Sequence, residues 1–181
     1  MSVKDKICLI TAGSKGIGLG IAKCLFENGA KIAICSRSQK NIDMALKYFE
    51  NSESRIFTKT GDVGDLNFTN ELVSSVNDYF NDSIDILINN NGGPPSKNAT
   101  ECSEEDWSNA FNRNFLSGVR LTNNVVNEMK KKKFGRIIFL TSLSGKEPDP
   151  GMVLSSTMRI ATAAYSKTMS KEITNSGITF N

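Results

Sequence analysis

Histidine is missing from this 181-residue sequence. Its absence excludes Ser-His-Asp triads, Cys-His dyads and histidine-ligated metal sites, so we expect no metal centre. Cysteine is scarce as well, and no two of the four form a CxxC pair. Three of them lie in segments that read as strand or helix interior, so we expect reduced, buried thiols in a cytoplasmic protein. The four are Cys8, Cys24, Cys35 and Cys102.

Long apolar runs and a large charge excess are also absent. No stretch approaches the ~18 apolar residues that a membrane span needs, and no signal peptide opens the sequence, so we expect no membrane partner. The net charge of +3 neither requires a nucleic acid nor excludes an anionic ligand. The longest basic run, Lys130 to Lys133, is typical of the solvated last turn of a helix, where cations suit the helix dipole. We therefore expect no nucleic-acid partner.

Short apolar runs alternate with amphipathic stretches, a pattern that predicts one α/β domain with a parallel sheet over residues 1–181. Ser38, Asp65 and the pair Ser103 and Asp106 are expected to cap helices. A sixth strand has only begun where the sequence stops, so we expect the domain to be incomplete at its C-terminal end. The predicted strands are 7–10, 31–35, 55–59, 84–88, 136–141 and one starting at 178; the predicted helices are 17–28, 38–49, 65–80, 103–133 with a break near Asn114, and 155–175.

A glycine-rich turn separates the first strand from its helix. Glycines at such a turn let backbone amides approach a pyrophosphate, which lies at the positive end of the following helix. Any tight strand-to-helix turn favours glycine, and it is the position directly after the first strand that favours nucleotide binding. The residues predicted to cradle the phosphates are Gly13, Ser14, Lys15, Gly16, Ile17 and Gly18.

With further motifs in order along the chain, the sequence resembles the short-chain dehydrogenase/reductase family, and most of all the β-ketoacyl carrier protein reductases. The loop is similar to TGxxxGxG with Ala12 in place of the first glycine, and Asn89-Asn90-Asn91-Gly92 stands in the place of NNAG. The resemblance implies a Rossmann-type doubly wound parallel sheet. It also implies that Asp62 and Val63 cover the adenine, and that Asn90, Asn91 and Gly92 contact the adenosine ribose and the neighbouring backbone.

The end of the second strand favours NADP(H) over NAD(H). An NAD-binding protein usually places a carboxylate there for the ribose hydroxyls, whereas this strand ends with Ser36, Arg37 and Ser38. Arg37 suits a bidentate contact with a 2′-phosphate, and Lys15 adds a second charge. Both residues are equally compatible with plain surface cations. The absence of an acid together with two cations predicts NADP(H), held by Arg37 and Ser38.

The catalytic tetrad that the resemblance implies is altered. The family's asparagine falls on Asn114 and its serine on Ser142, but the tyrosine position falls on Ser155 and the lysine position on Arg159. Tyr165 lies ten residues along the helix, roughly 15 Å away, and has no lysine four residues later, so we interpret it as structural. Arg159 is still suited to hold the nicotinamide ribose and to stabilise an alkoxide.

Two functions follow from these residues. The first is an NADP(H)-dependent oxidoreductase that interconverts a small-molecule carbonyl and a secondary alcohol, with Asn114, Ser142, Ser155 and Arg159 as its catalytic residues. The second is an NADP(H)-binding protein with little or no turnover, because the tyrosine and lysine are replaced. The resemblance also implies a homodimer or homotetramer formed through the long helices.

Overall fold

The computed structural model describes residues 2–49 and 53–181, and its centre is a six-stranded parallel sheet. The strands are β1 (Ile7–Ile10), β2 (Lys31–Ser36), β3 (Ile56–Thr60), β4 (Ile86–Asn89), β5 (Gly135–Phe139) and β6 (Ile178–Phe180). They lie in the order β3-β2-β1-β4-β5-β6, and every pairing is parallel. The single-domain, Rossmann-type doubly wound sheet predicted from the sequence is confirmed.

Helices cover the sheet between successive strands, as right-handed crossovers of a parallel sheet require. They are α1 (Gly16–Glu27), α2 (Gln39–Leu46), α3 (Leu66–Phe80), α4 (Glu104–Ala110), α5 (Ser117–Lys132) and α6 (Val153–Glu172). A π-helix, Phe111–Leu116, joins α4 to α5 without a break in the helical backbone. Short 3₁₀ turns occur at Glu53–Arg55, Ala99–Glu101 and Leu143–Gly145.

The polar residues expected to start helices do so. Ser38 accepts a hydrogen bond from the amide of Asn41 at 3.3 Å, and Asp65 accepts one from the amide of Phe68 at 3.0 Å. The α2 helix nevertheless ends at Leu46, three residues before the predicted end at Phe49. The early end lets Phe49 turn inward and pack edge-on against Phe26, with ring centroids 5.1 Å apart.

Two apolar layers enclose the sheet, one on each face. Ile7 and Leu9 of β1 belong to the layer that α3 and α5 cover, and Cys8 and Ile10 belong to the layer beneath α1 and α2. This alternation is the two-residue period of a strand buried on both sides. Since β1 is completely enclosed, its carboxyl end is held rigidly for the loop that follows it.

Two details differ from the sequence expectation. Cys8 and Cys35 are buried, but Cys24 is exposed, because it lies on the outer face of α1. The lysine run does form the last turn of α5, yet Lys132 is not simply solvated, since its ammonium lies 2.9 Å from Asp82 and 3.2 Å from Asp85. Within the residues that the structure describes, no helix has the length and apolarity to span a membrane.

Candidate active site

The phosphate loop, residues 11–18, connects β1 to α1 and depends on glycine at two points of close approach. A Cβ on Gly13 would lie 2.6 Å from Cγ2 of Ile34, and a Cβ on Gly18 would lie 2.4 Å from Nδ2 of Asn90. Gly16 has a φ of +54°, which favours glycine, and faces open space. Lys15, Gly16 and Ile17 are exposed, so the loop presents the start of α1 to solvent.

Asn90 ties this loop to the end of β4. Its side-chain amide donates to the carbonyls of Thr11 and Ala12, at 3.1 and 3.3 Å. Its backbone amide donates to the Thr11 hydroxyl at 2.9 Å, and that hydroxyl donates to the Asn90 carbonyl at 3.0 Å. The resemblance implied that Asn90 contacts the adenosine ribose and the neighbouring backbone. In the structure its side chain holds the phosphate loop against the neighbouring strand, and the ribose contact stays a prediction.

A cleft of about 600 Å³ opens at the carboxyl ends of the strands, where the strand order reverses between β1 and β4. This position is the one at which open parallel sheets bind ligands. Its walls come from the phosphate loop, the ends of β2 and β3, the first turn of α2, the segment after β4, and α4 with the π-helix. The lining residues are Ala12, Ser14, Lys15, Cys35, Ser36, Arg37, Ser38, Asn41, Gly61, Asp62, Val63, Asn91, Gly92, Gly93, Pro94, Pro95, Asn109, Ala110, Arg113 and Asn114.

The charges along this cleft are mainly positive. Lys15 and Arg37 are exposed on its rim, and neither has an ion-pair partner among the described residues. The Asp62 carboxylate accepts from Arg113 through both Nε at 3.0 Å and an η nitrogen at 2.9 Å. Asp62 also accepts from the amide of Gly64 at 2.9 Å. Its charge is therefore matched inside the wall, and the two rim cations are left for an anionic ligand.

Asn114, in the π-helix, lines the cleft at the end away from Lys15 and Arg37. Its side-chain amide donates to the carbonyl of Gly92 at 2.6 Å, and the residue is only 9% exposed. Asn91 makes a parallel link, donating to the Arg113 carbonyl at 2.7 Å and to the Ser117 hydroxyl at 3.0 Å. The segment after β4 is thus fixed to the helix. Where the sequence predicted a break near Asn114, the helical backbone continues through the π-helix.

Ser142 follows β5, where it begins the 3₁₀ turn, and the residue is exposed. The hydroxyl of Ser144 donates to it at 3.2 Å, and the hydroxyl of Ser155 lies 3.3 Å from that of Ser144. Ser144 and Ser155 are 4% and 7% exposed. The two serines predicted to be catalytic are therefore joined through a third, which the sequence reasoning missed.

Arg159 lies one turn of α6 beyond Ser155, as its spacing predicts. A Cβ on Gly145 would lie 2.7 Å from the Cβ of Arg159, so the turn after Ser142 packs directly on the arginine stem. One η nitrogen of Arg159 donates to the carbonyl of Leu140, and Nε is buried with no hydrogen-bond partner in the described residues. Burial lowers the pKa of the Arg159 guanidinium, which nevertheless stays protonated near neutral pH.

Tyr165 lies in apolar packing. Its ring meets Phe115 and Phe139 edge-on, with centroids 6.2 and 6.1 Å apart, and burial raises the pKa of its phenol. It is not among the residues that line the cleft. The interpretation of Tyr165 as a structural aromatic agrees with this position.

The structure brings most of the predicted site residues to one edge of the sheet. Along the cleft wall it adds Asn41, Asn109 and Arg113, which no sequence motif indicated. Ser142, Ser155 and Arg159 lie beside the cleft, in the turn after β5 and on α6, and not in its wall.

Comparisons with known proteins agree with this geometry. The family model for short chain dehydrogenase matches residues 6–181. The 3-oxoacyl-[acyl-carrier-protein] reductase of Vibrio cholerae is 30% identical over 189 residues, covering 100% of this chain and 72% of that protein. The L-sorbose reductase of Gluconobacter frateurii, solved with NADPH and L-sorbose, superposes with a TM-score of 0.92 at 27% identity, covering 98% and 68% of the two chains.

A xylitol dehydrogenase solved with NAD⁺ has the same fold, with a TM-score of 0.92 at 24% identity over 100% of this chain and 70% of that one. The chain spans 58% to 72% of the length of the curated relatives it matches. These are oxidoreductases of one fold that binds nicotinamide cofactors. The match to the family model over residues 6–181 means that this chain belongs to the short-chain dehydrogenase family.

Proposed function

We propose that the protein is an NADP(H)-dependent oxidoreductase that interconverts a carbonyl compound and a secondary alcohol, with 3-oxoacyl compounds as the substrate class to test first. The observation that carries the cofactor assignment is the pair of rim cations, Lys15 and Arg37, beside a second strand that ends in Ser36 without a carboxylate. A 2′-phosphate is the part of NADP(H) that this charge arrangement fits.

The residues present fit such a cofactor. A Cβ on Gly92 or Gly93 would meet nothing within 4 Å, so the cleft is open along this segment. The amides at the start of α1 suit a pyrophosphate, and Lys15, Arg37 and Ser38 suit the 2′-phosphate. The nicotinamide supplies a hydride when bound. We place the adenine beside Val63, the adenosine ribose near Asn91 and the nicotinamide ribose near Arg159.

The roles of the chain's own residues in the reaction follow from their contacts. Ser142 donates a hydrogen bond to the carbonyl oxygen, and the fixed charge of Arg159 stabilises the negative charge that develops there. Asn114, fixed to the Gly92 carbonyl at 2.6 Å, holds the wall of the nicotinamide end. Water supplies the proton that the product oxygen takes up, because serine is a weak acid and arginine does not titrate.

One observation favours the alternative, an NADP(H)-binding protein with little turnover. Ser155 is buried against Ser144, and an η nitrogen of Arg159 is engaged by the Leu140 carbonyl. The groups at the tyrosine and lysine positions are therefore directed partly into the protein. Nucleotide binding without reduction of any carbonyl compound would favour this alternative.

Cofactor affinity is the first test, measured by calorimetric titration with NADPH and NADH. We expect NADPH to bind at least about tenfold more tightly, a difference of about 1.4 kcal/mol. Arg37→Asp should shrink or reverse that ratio. Lys47→Asp, the same charge change at an exposed lysine outside the cleft, is the matched control and should leave it unchanged. Equal affinities in the unmodified protein would overturn the NADP(H) assignment.

Turnover is the second test, measured as oxidation of NADPH in the presence of 3-oxoacyl thioesters and simple ketones. Ser142→Ala should lower the rate by about tenfold or more, because it removes a donor to the developing oxyanion. The affinity for NADPH should survive this change, since Ser142 does not line the cleft. Activity that is indifferent to Ser142→Ala would place the chemistry elsewhere.

A further inference from the structure

Ser144 lies between Ser142, at the family's serine position, and Ser155, at its tyrosine position, and the family pattern assigns Ser144 no role. Its hydroxyl donates to Ser142 Oγ at 3.2 Å and lies 3.3 Å from Ser155 Oγ. The backbone amide of Ser144 donates to the same Ser142 oxygen at 3.3 Å. Only 4% of Ser144 is exposed, so water has little access to compete for these hydrogen bonds.

The proton count fixes the direction of the chain of hydroxyls. A serine hydroxyl has one proton and two acceptor lone pairs. Ser144 uses its proton on Ser142, so the contact with Ser155 is one in which Ser155 donates. Ser155 therefore donates to Ser144, and Ser144 donates to Ser142.

This direction determines which hydrogen bonds Ser142 can still make. Both of its lone pairs accept from Ser144, one from the hydroxyl and one from the backbone amide. Its own proton has no acceptor among these groups, and Ser142 is exposed at the start of the 3₁₀ turn that follows β5. A hydroxyl that accepts two hydrogen bonds is polarised as a donor.

We infer that Ser144 is a positioning residue that fixes Ser142 as the donor to the substrate carbonyl, and that Ser155 acts through Ser144 and not on the substrate. The inference rests on the proposed carbonyl reduction. At the family's tyrosine position, Ser155 then has an indirect role: by donating to Ser144, it strengthens Ser142 as a hydrogen-bond donor.

A double-mutant cycle of Ser144→Ala, Ser155→Ala and the combined variant tests this, with the rate constant for carbonyl reduction as the readout. Ser144→Ala should lower kcat about tenfold, as the loss of one polarising hydrogen bond predicts. The dissociation constant for NADPH should stay unchanged. Ser155→Ala should lower kcat in the unmodified protein and have no further effect in the Ser144→Ala background, because both changes break the same chain.

Ser156→Ala is the matched control. Ser156 is a neighbouring buried serine of α6, 4% exposed, whose hydroxyl has no hydrogen-bond partner in the described residues. Its removal should leave kcat at the unmodified value. A melting curve for each variant checks that the variants fold.

The outcomes separate this inference from the proposed function. If the unmodified protein reduces no carbonyl compound, the proposed function fails and the inference fails with it. If the protein is active and Ser144→Ala has the unmodified kcat, the inference alone is overturned. Independent, multiplying effects of Ser144→Ala and Ser155→Ala in an active protein would also overturn it, since they would mean that Ser155 acts directly.

Discussion

Ala12 is an alanine in a backbone conformation that favours glycine, with a φ of +46°. The left-handed conformation brings Cβ close to the following carbonyl, at a cost of about 1 kcal/mol. In the family's TGxxxGxG pattern, the residue at this position is glycine. We predict that Ala12→Gly raises the free energy of unfolding by about 1 kcal/mol, because glycine adopts this φ without the steric cost.

Urea unfolding measures the effect of Ala12→Gly, and Ala22→Gly is its matched control. Ala22 is fully buried in the interior of α1, where glycine is expected to lower the free energy of unfolding by about 1 kcal/mol or more. The two substitutions are chemically identical and should have opposite signs. A loss of stability in Ala12→Gly would mean that the loop does not hold this conformation in solution.

Individual site residues were predictable from the sequence where a local motif fixes them. Asn114, Ser142 and Arg159 were selected by resemblance to the family's motifs, and the structure places Asn114 in the π-helix, Ser142 just after β5 and Arg159 on α6. Ser144 and Arg113 were not predictable in this way. Arg113 meets Asp62 across 51 residues of sequence, and the role of Ser144 depends on a contact with another helix. Such contacts exist only after the chain has folded.

The start of α4 depends on one carboxylate. Asp106 accepts from the backbone amide of Ser103 at 2.9 Å while its own amide donates to the Ser103 hydroxyl at 3.2 Å, and it pairs with Lys97 at 2.7 Å. The Lys97 ammonium, and after it the Ser103 amide and hydroxyl, lower the pKa of Asp106 to about 2. Helix α4 contributes Asn109 and Ala110 to the cleft wall, so its first turn affects the site.

We predict that Asp106→Ala lowers the melting temperature at neutral pH and weakens NADPH binding. The pKa of Asp106 is lower in the folded protein than its usual value of 3.8. Its contribution is therefore fully present above about pH 4 and is lost as the pH falls from about 4 towards 2. Melting curves of both proteins from neutral pH down to pH 3 should show the difference shrinking.

Glu105→Ala is the control for this change, because Glu105 is an exposed carboxylate of the same first turn outside the capping box. It should leave the melting temperature nearly unchanged across the same pH range. A constant difference between Asp106→Ala and the unmodified protein at every pH would contradict the role of the ionised carboxylate.

At the scale of elements, the sequence predicted more about where helices begin than about how they continue. Capping depends on residues three or four apart, so Ser38, Asp65 and Ser103 were readable directly. The end of α2 was not, because Phe49 leaves the helix to meet Phe26 from another element. Near Asn114 the sequence predicted a break in the helix, and the structure has a π-helix there. Its formation depends on what the residues on each side of it pack against.

The whole molecule consists of two halves that meet between β1 and β4, and the cleft is lined from both. Lys15, Arg37 and Asp62 belong to one half, and Gly92 and Asn114 to the other. We predict that NADPH slows amide hydrogen exchange in both halves together, in the phosphate loop and in residues 109–114. A ligand at 100 times its dissociation constant stabilises the folded state by about 2.7 kcal/mol.

Hydrogen exchange followed by mass spectrometry, with and without NADPH, measures this protection by segment. The C-terminal part of α6, beyond Tyr165, lies outside the cleft and is the internal reference, so its exchange should change least. Protection confined to one half would mean that the nucleotide does not bridge the cleft.

The π-helix has a consequence for how this site responds to changes in chain length. Each residue of an α-helix turns the backbone by about 100°. The one extra residue of a π-helix therefore changes, by about that angle, which side chains before and after it share a face. This offset lets Ala110 face Leu154 while Leu121, in the same continuous helix, faces the sheet. Deleting a single residue between Phe111 and Leu116 would let the segment form a regular α-helix with these two faces unchanged, and would remove the wide turn from which Asn114 reaches the Gly92 carbonyl. In this segment the number of residues matters to the site as much as their identity.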